Sequence, residues 1–313
     1  MEGTVIKSTG SNYLVDCGDN KVIDCKIRGK IRLAGIRTTN PVSVGDVVDF
    51  DMEPSGDVGV ITRIHDRRNY IIRKATNLSK ESHIIAANMD QCLLITTLIM
   101  PETPLEFVDR FLVTAEAYKV PAIIVFNKCD LYVDGAEEVL EETMEIYRNI
   151  GYRCLAVSSV TGEGIGELRE ILRDKTTLLS GNSGTGKSTL INTVNPGLNL
   201  RTGEISMSSL AGRHTTTFAE MFNLGFGGRI IDTPGIRGFG IVRMSQEDVA
   251  HNFPEIFRRL SGCRFYNCTH THEPGCAVKA AVDDGTICPS RYHSYLSIIS
   301  DGEEGGKYRT NTH

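Results

Sequence analysis

Two nucleotide-binding motifs occur in this chain in an unusual order, and that order constrains its fold more than any other feature. Residues 181–188 read GNSGTGKS and match the phosphate-binding loop pattern GxxxxGKS. Residues 126–130 read FNKCD and contain the Asn-Lys-x-Asp pattern of a guanine-binding loop. Such a loop usually follows the phosphate loop, whereas here it precedes it. Either one match is accidental, or the same sheet is built from a rotated chain.

The phosphate-loop match lies where its chemistry needs it, between the apolar strand candidate TTLLS and the helix candidate STLINTV. Backbone N–H groups of such a loop and of the helix N-terminus can surround phosphates. Lys187 is expected to reach the β- and γ-phosphates, and Ser188 is expected to bind Mg²⁺. A glycine-rich turn with a chance Lys-Ser pair is the alternative. The residues predicted to bind nucleotide here are Gly181, Asn182, Ser183, Gly184, Thr185, Gly186, Lys187, Ser188 and Thr189.

The base-reading match follows the apolar strand candidate AIIVF, at the sheet edge where α/β proteins bind ligands. Asp130 can accept hydrogen bonds from the two guanine donors that adenine lacks. Asn127 can contact the other base edge, and Lys128 can lie over the ring. Ser158 and Ser159 of AVSS follow the next strand candidate and are predicted to lie beside the base. Polar groups left unpaired would disfavour the wrong base.

A strand candidate that ends in an acidic residue completes the set of nucleotide-binding motifs, since GRIIDTPG places Asp232 directly after apolar residues. In P-loop GTPases this aspartate holds Mg²⁺, commonly through water, and the amide of the following glycine, here Gly235, senses the γ-phosphate. A threonine of GRHTTT at 212–217 is expected to complete the Mg²⁺ shell. We assign Thr216, although its two threonine neighbours fit the pattern as well. The motif order is a cyclic rotation of the usual one.

The residue after DTPG is Ile236, where many signalling GTPases have a glutamine that orients the attacking water. Isoleucine cannot polarise water, so we expect slow intrinsic hydrolysis unless another residue or a partner assists. His214 is our candidate for that role, and Lys187 is the second catalytic candidate through its contact with the γ-phosphate. Arg213 and Arg237 are weaker candidates for stabilising the charge that develops on the phosphates. An exposed histidine without a chemical role is the alternative interpretation of His214.

A cluster of sulfur and imidazole ligands lies near the C-terminus, where residues 263–276 read CRFYNCTHTHEPGC. Three thiolates and one imidazole within fourteen residues are a natural tetrahedral zinc set, and a site with four protein ligands is structural. His272 or Cys288 can replace one ligand, and a chance cluster of free thiols is the alternative. The predicted zinc ligands are Cys263, Cys268, His270 and Cys276.

Strand and helix patterns predict a multidomain chain with three parts. Residues 1–72 read as short strands punctuated by turns and predict an all-β barrel of the OB type. Residues 73–242 alternate apolar strands with helical segments and predict an α/β, circularly permuted P-loop GTPase domain. Residues 243–313 predict a mostly helical zinc-binding domain.

Charge is distributed unevenly along the chain, whose net charge is −5. Residues 1–75 hold 12 Lys and Arg against 10 Asp and Glu, whereas the remainder holds 22 against 29. Residues 25–45 contain no acidic residue but several basic ones, so the barrel is a plausible RNA surface; a solvated edge that prevents aggregation is the alternative. No apolar run is long enough to span a membrane, and MEGTVIKSTG lacks a signal-peptide layout, so we expect a cytoplasmic protein.

The chain resembles one family in its rotated motif order and in the segments GNSGTGKS, GRHTTT and DTPGIRGFG. It also shares a Cys-x4-Cys-x-His-x5-Cys knuckle, and all of these follow a barrel. This family comprises the ribosome small-subunit-dependent GTPases called RsgA or YjeQ, and the resemblance spans nearly the whole chain. It implies a bacterial GTPase that uses GTP/GDP, Mg²⁺ and one structural Zn²⁺. His214 matches the histidine of the family's GRHTTT-like loop.

The resemblance also implies partners. The chain would bind the small (30S) ribosomal subunit near its decoding region, act late in its maturation and be strongly stimulated by it. The barrel and the zinc region would contact 16S rRNA, and we expect a monomer without membrane association. Two alternatives remain open: an RNA-binding assembly placeholder whose bound GTP or GDP is mainly structural, and a P-loop ATPase or kinase in which FNKCD is accidental.

Overall fold

Three units follow one another along the chain: a barrel, a sheet flanked by helices, and a helical C-terminal region. The computed structural model describes residues 1–19, 21–27, 41–54, 56–73, 83–133, 135–198, 200, 219–233 and 244–307. None of the helices within these ranges is long and apolar enough to cross a membrane.

The N-terminal unit is a closed five-stranded barrel. Its strands are β1 (Glu2–Ser8), β2 (Asn12–Asp16), β3 (Val22–Ile27), β4 (Val47–Met52) and β5 (Gly59–Ile64). The strand order is β1-β2-β3-β5-β4, and β4 pairs again with β1, which closes the barrel. Side chains alternate between interior and surface, and Val5, Val15 and Phe50 are fully buried. This is the predicted OB-type architecture.

A two-stranded antiparallel ribbon, which the sequence did not indicate, links the barrel to the central unit. It consists of β6 (Tyr70–Arg73) and β7 (His83–Ala87). Ile71 of β6 is fully buried in the core of the central unit, while the Ala87 amide donates to the Val44 carbonyl beside the barrel at 2.9 Å. The ribbon therefore packs against both neighbours.

The central unit contains a six-stranded stretch of sheet. Its strands are β8 (Gln91–Thr96), β9 (Ala122–Asn127), β10 (Arg153–Val157), β11 (Thr176–Ser180), β12 (Glu220–Asn223) and β13 (Arg229–Asp232). The order is β10-β9-β8-β11-β13-β12, with all pairs parallel except β12 and β13. The phosphate-loop strand β11 therefore lies between strands from both ends of the unit, as a rotated chain requires.

Helices cover both faces of this sheet. They are α1 (Leu105–Ala117), α2 (Ala136–Ile150), α3 (Ile165–Leu172) and α4 (Lys187–Val194). Every residue of β8 is buried, because a parallel sheet with two covered faces needs apolar side chains on each. Leu94 of β8 faces the core formed with α1 and α2, and Leu93 faces the core formed with α3 and α4.

The barrel and the central unit share one continuous sheet. Strand β12 pairs with β1 in antiparallel register at Lys7 and Glu220, and the Lys7 ammonium lies 3.0 Å from the Glu220 carboxylate. At the same junction, Arg229 of β13 lies 3.3 Å from the buried Asp16 carboxylate. These pairs place the barrel against β12, the neighbour of the strand that ends in Asp232.

The C-terminal unit is helical, as predicted. Its helices are α5 (Gln246–His251), α6 (Pro254–Phe257), α7 (Ala277–Asp283) and α8 (Pro289–Lys307). Ser245 caps α5 in a capping box with Asp248. Helix α8 lies against α1, and Val113 of α1 is buried in the same core as Phe253 and Tyr295.

Candidate functional site

The carboxyl ends of four parallel strands bring the predicted nucleotide-binding segments to one edge of the sheet. The phosphate loop follows β11, the base-reading loop follows β9, the AVSS serines follow β10, and Asp232 ends β13. Ligands of open α/β sheets bind at this edge. Rotation of the chain order therefore leaves the predicted segments as neighbours in space.

The phosphate loop turns sharply into α4. Gly186, directly before the helix, has φ of 85°, and a Cβ atom there would lie 2.6 Å from the Asn127 amide nitrogen, so only glycine fits. The Lys187 ammonium donates to the carbonyls of Gly181 and Asn182, both at 2.7 Å. The Thr185 hydroxyl also donates to the Asn182 carbonyl, at 2.9 Å. These bonds place the lysine charge at the loop that would surround the phosphates.

The base-reading loop is hydrogen-bonded to the phosphate loop. The buried Asn127 amide donates to the Thr185 carbonyl at 2.8 Å, while its Oδ1 atom has no hydrogen-bond partner among the described residues. Lys128 has φ of 64°, and its ammonium donates to the carbonyls of Gly184 and Met100 at 2.9 and 2.5 Å. The two predicted loops are therefore in direct contact.

The serine loop orients the base-reading aspartate. The Ser158 hydroxyl donates to Asp130 Oδ1 at 2.5 Å and accepts from the Val160 and Thr161 amides at 3.1 Å each. Ser158 itself is fully buried, so its contact is with the carboxylate, a role that the sequence did not show. The Ser159 hydroxyl oxygen is buried and lacks a hydrogen-bond partner within the described part of the chain.

The charges of Asp232, at the end of β13, and Lys187 interact with each other. Burial raises the pKa of the Asp232 carboxyl, and the Lys187 charge opposes that rise. Burial lowers the pKa of Lys187, and Asp232 opposes that fall. The interaction between the two groups therefore favours their charged forms, which are the forms that a magnesium phosphate complex needs. Ser188 follows Lys187 in the first turn of α4.

Several predicted residues lie outside the described ranges. These are the residues of 201–218 and 234–243, which include Arg213, His214, Thr216, Gly235, Ile236 and Arg237. Most of the basic stretch between Cys25 and Gly45 also lies outside them. The assignments of the catalytic histidine, the magnesium threonine and the γ-phosphate sensor stay predictions.

The predicted zinc ligands converge in the C-terminal unit. The ligand atoms of Cys263, Cys268, His270 and Cys276 all lie within 4.8 Å of one another. His270 Nδ1 is 3.6 Å from Cys263 Sγ and 3.4 Å from Cys276 Sγ. These separations suit the edges of a tetrahedron with arms of about 2.0–2.3 Å, so the residues fit Zn²⁺. The alternative ligands His272 and Cys288 are not part of the group.

The surroundings of the cluster hold its loop in place. The Lys279 amide donates to Cys276 Sγ at 3.5 Å, and the Tyr292 hydroxyl donates to the His270 carbonyl at 2.6 Å. Burial raises the pKa of the Cys268 thiol to about 12, so a cation is needed to hold it as a thiolate. Glu273 accepts from both the amide and the hydroxyl of Thr269. Sequence reasoning missed Glu273, whose only signal is its place in the turn between two ligands.

Comparison with known proteins decides the family. A family model described as RsgA GTPase matches residues 64–242, and one described as RsgA N-terminal domain matches residues 2–61. The chain belongs to the RsgA GTPase family. It is therefore a GTPase, and the predicted resemblance is confirmed; the ATPase and kinase alternative is wrong.

Relatives and solved structures agree with this RsgA assignment. Proteins named small ribosomal subunit biogenesis GTPase RsgA from Bacteroides fragilis and Phocaeicola vulgatus are 53% and 54% identical over 309 residues, which cover 99% of each chain. The crystal structure of YjeQ from Thermotoga maritima aligns with a TM-score of 0.78 and 36% identity, covering 96% of this chain and 97% of that one. The crystal structure of YloQ, a circularly permuted GTPase, aligns with a TM-score of 0.73 and 30% identity, covering 100% of this chain and 96% of that one.

Proposed function

We propose that this RsgA-family chain is a cytoplasmic, monomeric GTPase that assists late maturation of the small (30S) ribosomal subunit. It binds the subunit, is stimulated by it to hydrolyse GTP, and leaves when hydrolysis is complete. The observation that carries the proposal is the hydrogen bond from Asn127 to the Thr185 carbonyl at 2.8 Å, which joins the base reader to the phosphate loop. The small ribosomal subunit is proposed as the partner because the relatives are named for its biogenesis.

Selectivity for guanine rests on the Asp130 carboxylate. The Ser158 hydroxyl and the two amides behind it hold Asp130 in one orientation, so its acceptors are arranged before the base arrives. Guanine presents two donors to this carboxylate, whereas adenine presents none in the same place. An acceptor that stays unpaired beneath the bound base disfavours adenine by about 1–3 kcal/mol per lost bond.

Hydrolysis depends on charge at the phosphates. When bound, Mg²⁺ neutralises charge on the phosphate oxygens, and Ser188, Thr216 and Asp232 are the residues that we assign to hold it. Lys187 contacts the γ-phosphate, and the Gly235 amide senses it. We assign His214 as the group that assists the attacking water in place of the missing glutamine.

Two surfaces support contact with 16S rRNA. The barrel belongs to a class that binds single-stranded nucleic acid on its open face. The zinc knuckle carries a fully exposed Tyr266 beside a half-exposed Phe265, and the Arg264 guanidinium lies 5.4 Å from the Phe265 ring centroid. Exposed aromatic rings next to arginine suit stacking with unpaired bases.

Steady-state phosphate release tests the proposal. GTP and ATP are compared with and without purified small ribosomal subunits, beside an Asp130→Asn control at limiting GTP. We expect strong stimulation by the subunit with GTP alone, and a loss in the control. Unchanged hydrolysis with intact GTP binding would support instead the placeholder function, in which bound nucleotide is mainly structural. Ile236 in the place of the water-orienting glutamine is the observation that favours this second candidate.

A further inference from the structure

The segment between β8 and α1, residues 97–104, closes over both nucleotide loops and is called the strap below. The Met100 carbonyl accepts from the Lys128 ammonium at 2.5 Å. The Pro101 ring packs against Gly184 of the phosphate loop, since a Cβ atom on Gly184 would lie 3.3 Å from Pro101 Cγ. The same ammonium also donates to the Gly184 carbonyl at 2.9 Å. Lys128, Met100 and Gly184 therefore form one cluster.

A buried tyrosine anchors the strap. The hydroxyl oxygen of Tyr132 accepts from the Leu98 amide at 2.6 Å. Tyr132 is only 3% exposed, so the partly buried Leu98 amide bonds to an acceptor that is shielded from water. The strap is braced further by Thr97, whose hydroxyl donates to the Pro101 carbonyl at 2.6 Å.

The position of Tyr132 in the chain connects the anchor to the base reader. A single 3₁₀ turn, Cys129–Leu131, separates it from Lys128. One short segment thus carries the base-reading residues at its start and the strap anchor at its end. Burial raises the pKa of the Tyr132 hydroxyl, which keeps the side chain neutral.

We propose that Tyr132 is a positioning residue for the guanine nucleotide. It fixes the strap, the strap fixes the Met100 carbonyl, and this carbonyl holds the Lys128 ammonium so that the lysine stem covers the base. The inference rests on the proposed assignment of residues 127–130 as the guanine reader. Tyr132 touches neither the base nor the phosphates, so its loss should change the retention of nucleotide and leave the chemical step unchanged.

The test compares Tyr132→Phe with Tyr152→Phe. Both tyrosines are buried in the same core, but the Tyr152 hydroxyl makes no hydrogen bond to the strap. Dissociation of a fluorescent GDP analogue is followed by stopped flow, and GTP hydrolysis is measured over a range of GTP concentrations. For Tyr132→Phe we expect roughly tenfold faster GDP dissociation, because the Leu98 amide loses its acceptor and the strap loses its anchor. We expect kcat to stay within about twofold while KM rises, and Tyr152→Phe to resemble the wild type.

The outcomes of this experiment distinguish a failure of the guanine-reader assignment from a failure of the role proposed for Tyr132. A wild-type chain that retains ADP as long as GDP would overturn the assignment of the guanine reader. A selective wild type with equal dissociation rates for the two phenylalanine variants would overturn the role of Tyr132 alone. If circular dichroism shows that Tyr132→Phe does not fold, Thr97→Val decides by the same assay. It removes the brace to Pro101 at constant volume, and unchanged GDP dissociation would then refute the inference.

Discussion

Replacing Arg291 with methionine should strongly destabilise the attachment of the C-terminal unit to the GTPase domain. The Arg291 side chain is 1% exposed and lies between two carboxylates from different elements. Its Nη1 atom donates to Asp109 Oδ1 on α1 at 2.6 Å, and its Nε atom donates to Glu255 Oε1 on α6 at 2.7 Å. The guanidinium also lies 4.5 Å from the Phe253 ring centroid.

The expected size of the effect follows from burial. Methionine fills much of the arginine volume, so the main loss is charge compensation for Asp109 and Glu255. Removing one partner of a buried ion pair typically costs about 3–5 kcal/mol, because the remaining charge stays buried without compensation. We therefore expect the free energy of unfolding of Arg291→Met to fall by about this amount at pH 8.

Arg110→Met provides a matched control in the same α1–α8 contact. Arg110 pairs with Glu106 and Asp301, but its side chain is 26% exposed and that of Asp301 is 61% exposed. Ion pairs that water reaches typically contribute about 1 kcal/mol or less. The two variants remove the same functional group from one interface and differ mainly in burial.

The stability that Arg291→Met loses relative to the wild type should depend on pH in a defined direction. Burial raises the pKa of Asp109, and Arg291 opposes this rise in the wild type. Without Arg291 the folded chain holds a proton on Asp109 that the unfolded chain releases above pH of about 4. Since the folded state then binds more protons, the stability of the variant falls as pH rises. The deficit relative to the wild type should be smaller at pH 5 than at pH 8.

Urea unfolding followed by far-ultraviolet circular dichroism measures these differences, which suits a chain without tryptophan. The reasoning is refuted if Arg291→Met loses no more stability at pH 8 than Arg110→Met does. It is also refuted if the deficit of Arg291→Met is as large at pH 5 as at pH 8.

Three further changes test the remaining sites. Ser158→Ala leaves Asp130 without its hydroxyl donor, so GDP affinity in an equilibrium titration should fall roughly tenfold; unchanged affinity would contradict the orienting role. Cys268→Ser removes one thiolate of the cluster, and a chelator assay should find zinc in the wild type but little in the variant; full zinc retention would show that another residue completes the site. Tyr266→Ala should weaken binding to the small ribosomal subunit roughly tenfold in a sedimentation assay, whereas Phe257→Ala, a control at another exposed aromatic, should not; equal losses would exclude a specific stacking role.

Local sequence was sufficient for the segments whose chemistry depends on consecutive residues. GNSGTGKS and FNKCD each contain the residues and the turn that their loops require, so their places after β11 and β9 were predictable. The zinc cluster was predictable for the same reason, since its ligands lie within fourteen residues. The closed barrel followed from alternating short strands.

Features that depend on distant partners were not predictable. Arg291 and Asp109 are 182 positions apart, and each reads by itself as an ordinary charged residue of an amphipathic helix. Tyr132 reads as a core residue, and its role arises only because the strap passes over it. The ribbon of β6 and β7 was missed because His83–Ala87 lacks a clear alternation and is completed by its pairing.

The rotated chain order places the barrel and the C-terminal unit close to the predicted nucleotide loops. Because β8 follows the ribbon and β13 ends the sheet, the barrel leads into the GTPase domain and the chain leaves it after Asp232. The barrel contacts β12 through Lys7 and Glu220, and Glu220 is the cross-strand neighbour of Asp232. The C-terminal unit contacts α1, which begins where the strap ends. The barrel and the C-terminal unit are therefore each one element away from a nucleotide loop, so a partner that binds both units can act on both sides of the bound nucleotide.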